Sequence, residues 1–579
     1  MKKLTGVPVS SGIAIGTALL YLETDFPEIP RYSIKKSQID GEIKRFDDAV
    51  KEAAADILAL RERAVKEMSK INADILAVHI MMLEDVDFYD QIINRLKETQ
   101  ENIEWVVHES SRNVMQKMQA SADISFRERA SDIKDVARRV LGKLLSIKRI
   151  SLADLDRDVI LVAHDLLPSE VLTMNRRHIK GIVMNMGGKT SHTAILAHAF
   201  EIPAVLGLST ATFEIENGDT LVLNASDGEV FINPDQKTMD RWERVGVKYF
   251  KKLEHYSHLR ELPAETKDGH RVLLKANIEI PEEAESVIRF GAEGIGLYRS
   301  EFLFLNPGQA AGEEQQLQSY SKVIKTLEKL PVTIRTLDMG GDKILPDYYM
   351  VQEKNPLLGW RAIRLSLSMP EAFKTQLRAI LRSSVEGNVK IMFPLISGIE
   401  ELDQALALLE EAKNECRKKK HPFADNIEVG TMIEVPSAAI TADILAKRSD
   451  FFSIGTNDLV QYTLAVDRGN EKVNYLAQSS HPAILRFLKN TIDAAHSRGI
   501  KAAMCGELAG DPGATVLLLG LGLDEFSMAA SSIPIVKQII REARISECRE
   551  LAAELLKGVS FMANNALLKA WMAENTQKK

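Results

Sequence analysis

The chain has 579 residues, 45% of them apolar and 27% charged, with a formal net charge of −7. That length holds roughly three or four domains of ordinary size, and the acidic balance excludes the basic footprint of general nucleic-acid binding while leaving room for a basic protein partner. Cys416, Cys505 and Cys548 lie far apart with no CxxC pair and no apolar run reaches about 18 residues, so a soluble cytoplasmic protein is expected, with no disulfide framework, cysteine zinc cluster or membrane span.

Residues 1–25 read as β structure, with short apolar runs broken by glycine. Within 30–146, the stretch from Glu42 to Leu141 contains neither Gly nor Pro. Apolar residues there recur at helical spacing (Ile57, Leu60, Ala64, Met68), which predicts an all-helical domain. From 147 to 234 the texture changes to short strands: VILVAHDL, IKGIVMNM, PAVLG and DTLVLNASDGEVFINP. Asn217-Gly218 and Asp227-Gly228 read as tight turns between strands. This is a compact β/α domain, completed by residues 1–25, with the helical domain inserted into it. Residues 235–262 are charged and helix-prone, as in a linker helix.

From 263 to 579 one unit repeats: an apolar strand ending in a polar residue, then a helical segment. The strands are VLLKANIE, GIGLYRSE, VTIRTLDMGG, VKIMFPLI, EVGTMIEVP, FFSIGTNDL, KAAMCGELAG and DEFSMA. About eight such strands predict a closed parallel (β/α)8 barrel of the TIM type, an open doubly wound sheet being the weaker alternative. The whole chain is thus expected to be a multidomain α/β protein.

Barrels of this kind gather chemistry at the C-terminal ends of their strands. Those ends supply Arg299, Arg335, Asp338, Glu434, Asn457, Asp458 and Cys505, with Arg361 and Arg468 in loops just beyond. Arginine forks suit a phosphate and a carboxylate on one small ligand. Glu434 and Asp458 are hard oxygen ligands suited to Mg2+. Cys505 is the one thiol on that rim, in a place suited to proton transfer.

The stretch MGGKTSHTAILAH, Met186–His198, imitates a phosphate loop. The pattern G-x-x-x-x-G-K-[ST] requires a glycine at 183, where the chain has Val183, so the nucleotide reading fails on spacing. Thr190 or Ser191 is a good cap for the helix that follows, placing His192 in the first turn, where free N–H groups and the helix dipole favour a phosphoryl group. His192 and His198 are about 240° apart around a helix and cannot share an ion. These residues alone leave two readings open: a phosphoryl acceptor, or a histidine that only caps or packs.

GGKTSHTAILAHAFEIPAVLG, GLYRSEFLF, TLDMGGDK, NPLLGWRAIR, GTMIEVPSA, FFSIGTNDLVQYTLAVDRGN and MCGELAGDP together resemble enzyme I of the bacterial phosphotransferase system, in order and over essentially the whole chain. The resemblance implies a swivelling phosphohistidine domain (1–25 and 147–234), a helical domain (30–146) that docks the carrier protein HPr, a linker helix (235–262), and a phosphoenolpyruvate-binding and dimerisation barrel (263–579). It implies that His192 takes the phosphoryl group from phosphoenolpyruvate and passes it to HPr. Arg299, Arg335, Asn457, Asp458, Arg468 and Arg361 would bind substrate, Glu434 and Asp458 would hold Mg2+, and Cys505 would deliver the proton that yields pyruvate. The Val78–Phe88 stretch, mixing apolar and acidic groups, is the expected dock. A homodimer and the sugar-type branch are also implied.

Two positions depart from the family pattern. Many relatives have arginine where this chain has His198, and threonine where it has Val171, which puts the stability and pH dependence of the phosphohistidine in question. Pyruvate phosphate dikinase and phosphoenolpyruvate synthase share the histidine and barrel but need an ATP-grasp domain, for which the helical insertion leaves no room. A non-catalytic regulatory paralogue would be expected to lack His192 or a barrel arginine, and none is missing.

Overall fold

In the computed structural model the described residues are 2–10, 12–21, 29–67, 79–83, 85–119, 124–145, 152, 155–166, 170–171, 174–175, 177–188, 191–304, 311–340, 353–468, 470 and 472–577. The chain divides into two compact units, Met1–Lys251 and Lys252–Lys579. The division falls within the segment expected to be a linker helix, which forms α7 below.

The first unit is built on an eight-stranded sheet in the order β1-β8-β7-β3-β4-β5-β6-β2. Its strands are β1 (Lys2–Thr5), β2 (Val7–Ser10), β3 (Ile13–Tyr21), β4 (Val159–Ala163), β5 (Ile179–Met184), β6 (Ala204–Leu206), β7 (Thr220–Asn224) and β8 (Glu229–Ile232). β3 to β6 run parallel, and the remaining pairs are antiparallel. β4 (VILVA) is buried at every position, as a central parallel strand must be. The Asp227-Gly228 turn joins β7 to β8, with Gly228 at φ +72. Asn217-Gly218, expected between strands, instead leads from a short helix into β7, because Ala211–Glu214 folds as a single helical turn.

β3 and β4 are hydrogen-bonded neighbours although 137 residues separate Tyr21 from Val159. The helices α1 (Ile39–Glu67), α2 (Val86–Thr99), α3 (Ile103–Gln119) and α4 (Ile124–Leu144) lie in that interval. They share a core of their own in which Ile57, Ile92, Leu96 and Ile103 are fully buried. Asp85 caps α2, its carboxylate accepting the Phe88 N–H at 3.0 Å, and Gln100 ends it in the left-handed region at φ +52. Of the stretch expected to dock a partner, Val78 and Glu84 lie outside the described residues, as does Met68 of the helical pattern. Within that stretch Leu83 is buried, while Met81 is 70% exposed.

Three further helices follow the sheet order: α5 (His192–Ala199), α6 (Ala211–Glu214) and α7 (Gln236–Ser257). α7 begins on the sheet, with Trp242 packed 5.5 Å from the ring of Phe231.

The second unit is a closed barrel of eight parallel strands. They are β9 (Leu273–Ile278), β10 (Ile295–Arg299), β11 (Val332–Arg335), β12 (Val389–Phe393), β13 (Glu428–Ile433), β14 (Phe451–Ile454), β15 (Lys501–Met504) and β16 (Glu525–Met528), and β16 closes on β9. Each falls on one of the eight apolar runs of the sequence. Leu297, Met392, Met432, Phe451 and Cys505 form an interior layer. Because the strands are parallel, the polar residues at or just beyond their C-terminal ends, such as Arg299, Arg335 and Glu434, emerge at the same rim.

Candidate active site

In the first unit, β5 ends at Met184 and the chain continues through Asn185 and Met186 into the glycine pair. Gly187 has φ +98, a conformation that side chains rarely adopt. The Ser191 N–H donates to Gly188 O at 3.0 Å, closing a tight turn. Ser191 Oγ then accepts the Ala194 N–H at 3.2 Å, so Ser191 caps α5 and His192 is its first residue. Lys189 and Thr190 lie outside the described residues, and for His192 and His198 the backbone alone is described. Val171 is fully buried.

On the barrel, Arg299 and Arg335 close β10 and β11 and stand opposite each other in the register of those strands. Arg335 donates to Glu301 Oε1 at 2.6 Å and pairs with Asp338 Oδ2 at 2.8 Å. Asp338 Oδ1 accepts from Arg361 at 2.7 Å, and the same guanidinium nitrogen is 3.9 Å from Asp458 Oδ2. Asp338, Glu434 and Asp458 each offer a carboxylate oxygen, and all three oxygens lie within 4.8 Å of one another. Glu434, just past β13, accepts the Leu395 N–H at 2.6 Å. Gly455 makes room for it: a Cβ there would stand 2.5 Å from Glu434 Oε2.

A second group closes the rim. Asn457 and Asp458 were expected at the end of β14 but occupy the first turn of the helix Thr456–Leu464. Asn457 exchanges two hydrogen bonds with Glu507, donating to Oε1 at 3.1 Å and accepting the backbone N–H at 3.2 Å. Arg468 stands 3.7 Å from the same Oε1, and Arg299 is paired with Glu279. Thus Arg335, Arg361, Glu434 and Asp458 gather around Asp338, while Arg299, Asn457 and Arg468 are held by Glu279 and Glu507.

Burial and charge pull these groups in different directions. Burial pushes the Glu434 carboxyl well above the usual range, and the neighbouring Asp338 and Asp458 push it further, against the pull of Arg335. Burial also works against charge on Asp338, but Arg335 and Arg361 overcome it and hold its carboxyl below the usual range. Burial pushes the Cys505 thiol up to about 11, against the opposing effects of Ser453 and Arg335. Cys505 is 3% exposed and sits one residue beyond β15, so at neutral pH it is a protonated thiol. Asn277 donates to the Cys505 carbonyl at 2.9 Å and fixes that strand end.

The donor set fits a divalent cation. Three carboxylate oxygens converge, burial and the other two carboxylates together disfavour the charged form of Glu434, and oxygen ligands are what a hard cation takes. Asp338 joins Glu434 and Asp458 in this set. The sequence placed it on the rim without a metal role, since its approach to Glu434 depends on barrel closure. Glu301, Glu279 and Glu507 were missed altogether. Glu301 and Glu507 each lie two residues beyond a predicted rim residue, the one signal that could have found them.

Three family models match the chain. They are described as PEP-utilising enzyme, N-terminal (residues 5–129), PEP-utilising enzyme, mobile domain (155–228), and PEP-utilising enzyme, PEP-binding domain (254–545). A Staphylococcus carnosus phosphoenolpyruvate-protein phosphotransferase is 41% identical over 95% of this chain and 96% of its own length. The Haemophilus influenzae protein of that name is 40% identical over 99% of this chain and 100% of its own, and the Bacillus subtilis one 41% over 96% and 97%. A solved structure titled as a solution structure of Enzyme I is 34% identical, covering 42% of this chain and 99% of that one, with a TM-score of 0.38. Relatives 40–41% identical over 95–99% of this chain share its helical insertion, histidine loop and barrel, and the chain belongs to the phosphoenolpyruvate-protein phosphotransferase family.

Proposed function

We propose that this enzyme transfers the phosphoryl group of phosphoenolpyruvate to His192 and then to the carrier protein HPr, releasing pyruvate, as the first step of sugar uptake by phosphotransfer. In the first half-reaction the P–O bond to the enol oxygen breaks as a bond to the His192 imidazole forms. The enolate left behind takes a proton at its methylene carbon from the Cys505 thiol, and pyruvate results. Arg299, Arg335, Arg361, Asn457 and Arg468 would bind and orient the phosphate and carboxylate and offset the charge spread over the transferring group. Glu434 and Asp458, with Asp338, would hold Mg2+, which when bound neutralises phosphoryl oxygens. His192 is the first residue of α5, and a phosphoryl group at a helix N-terminus would be favoured by the positive end of the helix dipole.

The observation that carries this reading is the buried Cys505 within the same rim as two arginines on neighbouring strands and three converging carboxylates. That combination holds a phosphorylated enol and supplies the proton its departure requires. We further infer the domain limits 1–25 with 147–234 (phosphohistidine), 30–146 (HPr docking), 235–262 (linker) and 263–579 (substrate and dimerisation). The first of these would swing to carry His192 between barrel and partner. A cytoplasmic homodimer completes the proposal. Among the described residues no helix is long and apolar enough to cross a membrane.

Labelled phosphoenolpyruvate tests the reading on wild type and His192→Ala, with and without Mg2+. Acid-labile, base-stable label on wild type that needs Mg2+ and vanishes in His192→Ala is the expected result. Label persisting in His192→Ala would overturn the assignment, and label from ATP would favour a dikinase.

A further inference from the structure

We propose that His164 is a positioning residue for the loop that presents His192, acting as the hydrogen-bond acceptor that locks Asn185 at the base of that loop; the proposal rests on the role given to His192 above. Asn185 is the first residue beyond β5 and is 2% exposed. Its backbone is tied on both sides: its N–H donates to Ala163 O at 3.1 Å, and its carbonyl accepts the Ser209 N–H at 3.1 Å. The next residue, Met186, donates its N–H to His164 O at 2.9 Å. Gly187 and Gly188 follow at once, and two glycines add no stiffness of their own. The direction in which the chain leaves toward His192 is therefore set at Asn185 and Met186.

The side chain of Asn185 completes the lock, and its orientation is determined. Asn185 Oδ1 accepts the Thr212 backbone N–H at 3.1 Å, and a backbone N–H can only donate. The amide nitrogen must then face the other way, toward Thr212 Oγ1 at 2.6 Å and His164 Nδ1 at 3.2 Å. An amide NH2 has two donors and no acceptor, so His164 Nδ1 must carry a lone pair. His164 is thereby the neutral imidazole with its proton on Nε2. Protonating Nδ1 would set two donors face to face. Asn185 cannot turn over to relieve that contact without losing the Thr212 N–H. One protonation event therefore detaches the end of β4 from the side chain that joins it to the loop and to α6.

Other charged groups belong to the elements packed here. Asp165 follows His164 and accepts the Leu166 N–H at 2.9 Å. Glu214 on α6 is paired with Lys2, and Glu170 accepts from Tyr21 at 2.5 Å. Lys189 and His192 lie on the loop itself. A comparison at equal pH between wild type and His164→Gln leaves all of these unchanged, while Gln keeps an acceptor that does not protonate.

The test uses the full-length chain. Nitrogen NMR on 15N-histidine protein, assigned with His164→Gln, should find His164 unprotonated at Nδ1 when neutral. Asn185→Asp puts an acceptor opposite the ring, so Nδ1 should become a donor. In single-turnover labelling by phosphoenolpyruvate at one neutral pH, His164→Gln, which keeps an acceptor, should match wild type. His164→Ala, which removes the acceptor, should be slower than both by about fivefold, the scale of one hydrogen bond. Thermal unfolding of each variant should confirm the fold. A neutral His164 carrying its proton on Nδ1, or identical rates for wild type, His164→Gln and His164→Ala, would overturn the proposal. If wild type takes no label at all, the phosphotransfer reading fails, and the NMR arm still decides the His164–Asn185 bond.

Discussion

The histidine loop and the barrel rim, which the proposed reaction would bring to one phosphoryl group, are held in place by different forces. Around Asp338 the rim is fixed by buried ion pairs: Arg335 between Glu301 and Asp338, Arg361 between Asp338 and Asp458. The loop is fixed by backbone hydrogen bonds from Asn185 and Met186, a serine cap and a left-handed glycine. A rim that must meet a multiply charged substrate gains by carrying charges already oriented and desolvated. A loop whose histidine would alternate between neutral and phosphorylated is held mainly through backbone and hydroxyl groups, with neutral His164 as the acceptor at its base. Substitutions of charge should therefore be severe on the rim, and substitutions of backbone freedom severe on the loop.

The largest effect is expected at Cys505. Cys505→Ala removes the proposed proton donor and should lower pyruvate formation by about 10²–10⁴-fold, read by single-turnover kinetics, with a loss of stability of only about 1 kcal/mol from the small cavity. The thiol is the active form and its pKa is pushed up to about 11. The proton-transfer step should therefore be insensitive to Cys505 ionisation through neutral pH and fall only as pH rises through about 11. Arg335→Met should follow closely, with a loss of about 10²–10³-fold. It also leaves Glu301 without its arginine and Asp338 with Arg361 alone, so unfolding of the barrel should come earlier by about 3 kcal/mol.

Two matched alanine substitutions separate the regions. Gly455→Ala crowds Glu434 Oε2 and should weaken Mn2+ or Mg2+ binding, measured calorimetrically, by about 10–100-fold. Gly187→Ala imposes a side chain at φ +98, a strain of about 1–2 kcal/mol. It should slow His192 labelling while leaving metal binding untouched. Equal effects of both variants on metal affinity would break the distinction between the regions. The smallest effect is expected for His198→Arg, which should slow phosphohistidine loss above neutral pH; equal hydrolysis rates would remove His198 from the account.

Legibility in the sequence follows the same division. All eight barrel strands were readable because each is a short apolar run closed by a polar residue, and the rim residues follow from the parallel order. Asn457 and Asp458 were placed at a strand end because the pattern of apolar residues does not show where FFSI stops and helix begins. The ion-pair partners Glu279, Glu301 and Glu507 were not legible, since a glutamate's partner depends on side chains brought together by barrel closure. Glu507 alone meets Asn457 and Arg468, from 50 and 39 positions away in the chain. On the loop, Ser191 was readable as one of two candidate caps. His164 was not, because nothing in VAHDL announces that Asn185 will turn its amide toward it.

The central claim is that one phosphoryl group leaves phosphoenolpyruvate for each His192 available. A pyruvate burst measured without any protein acceptor tests it most directly. The account predicts a burst equal to the concentration of active chains for wild type and none for His192→Ala. A burst of the same size in His192→Ala, or steady turnover of phosphoenolpyruvate without bound label, would contradict it.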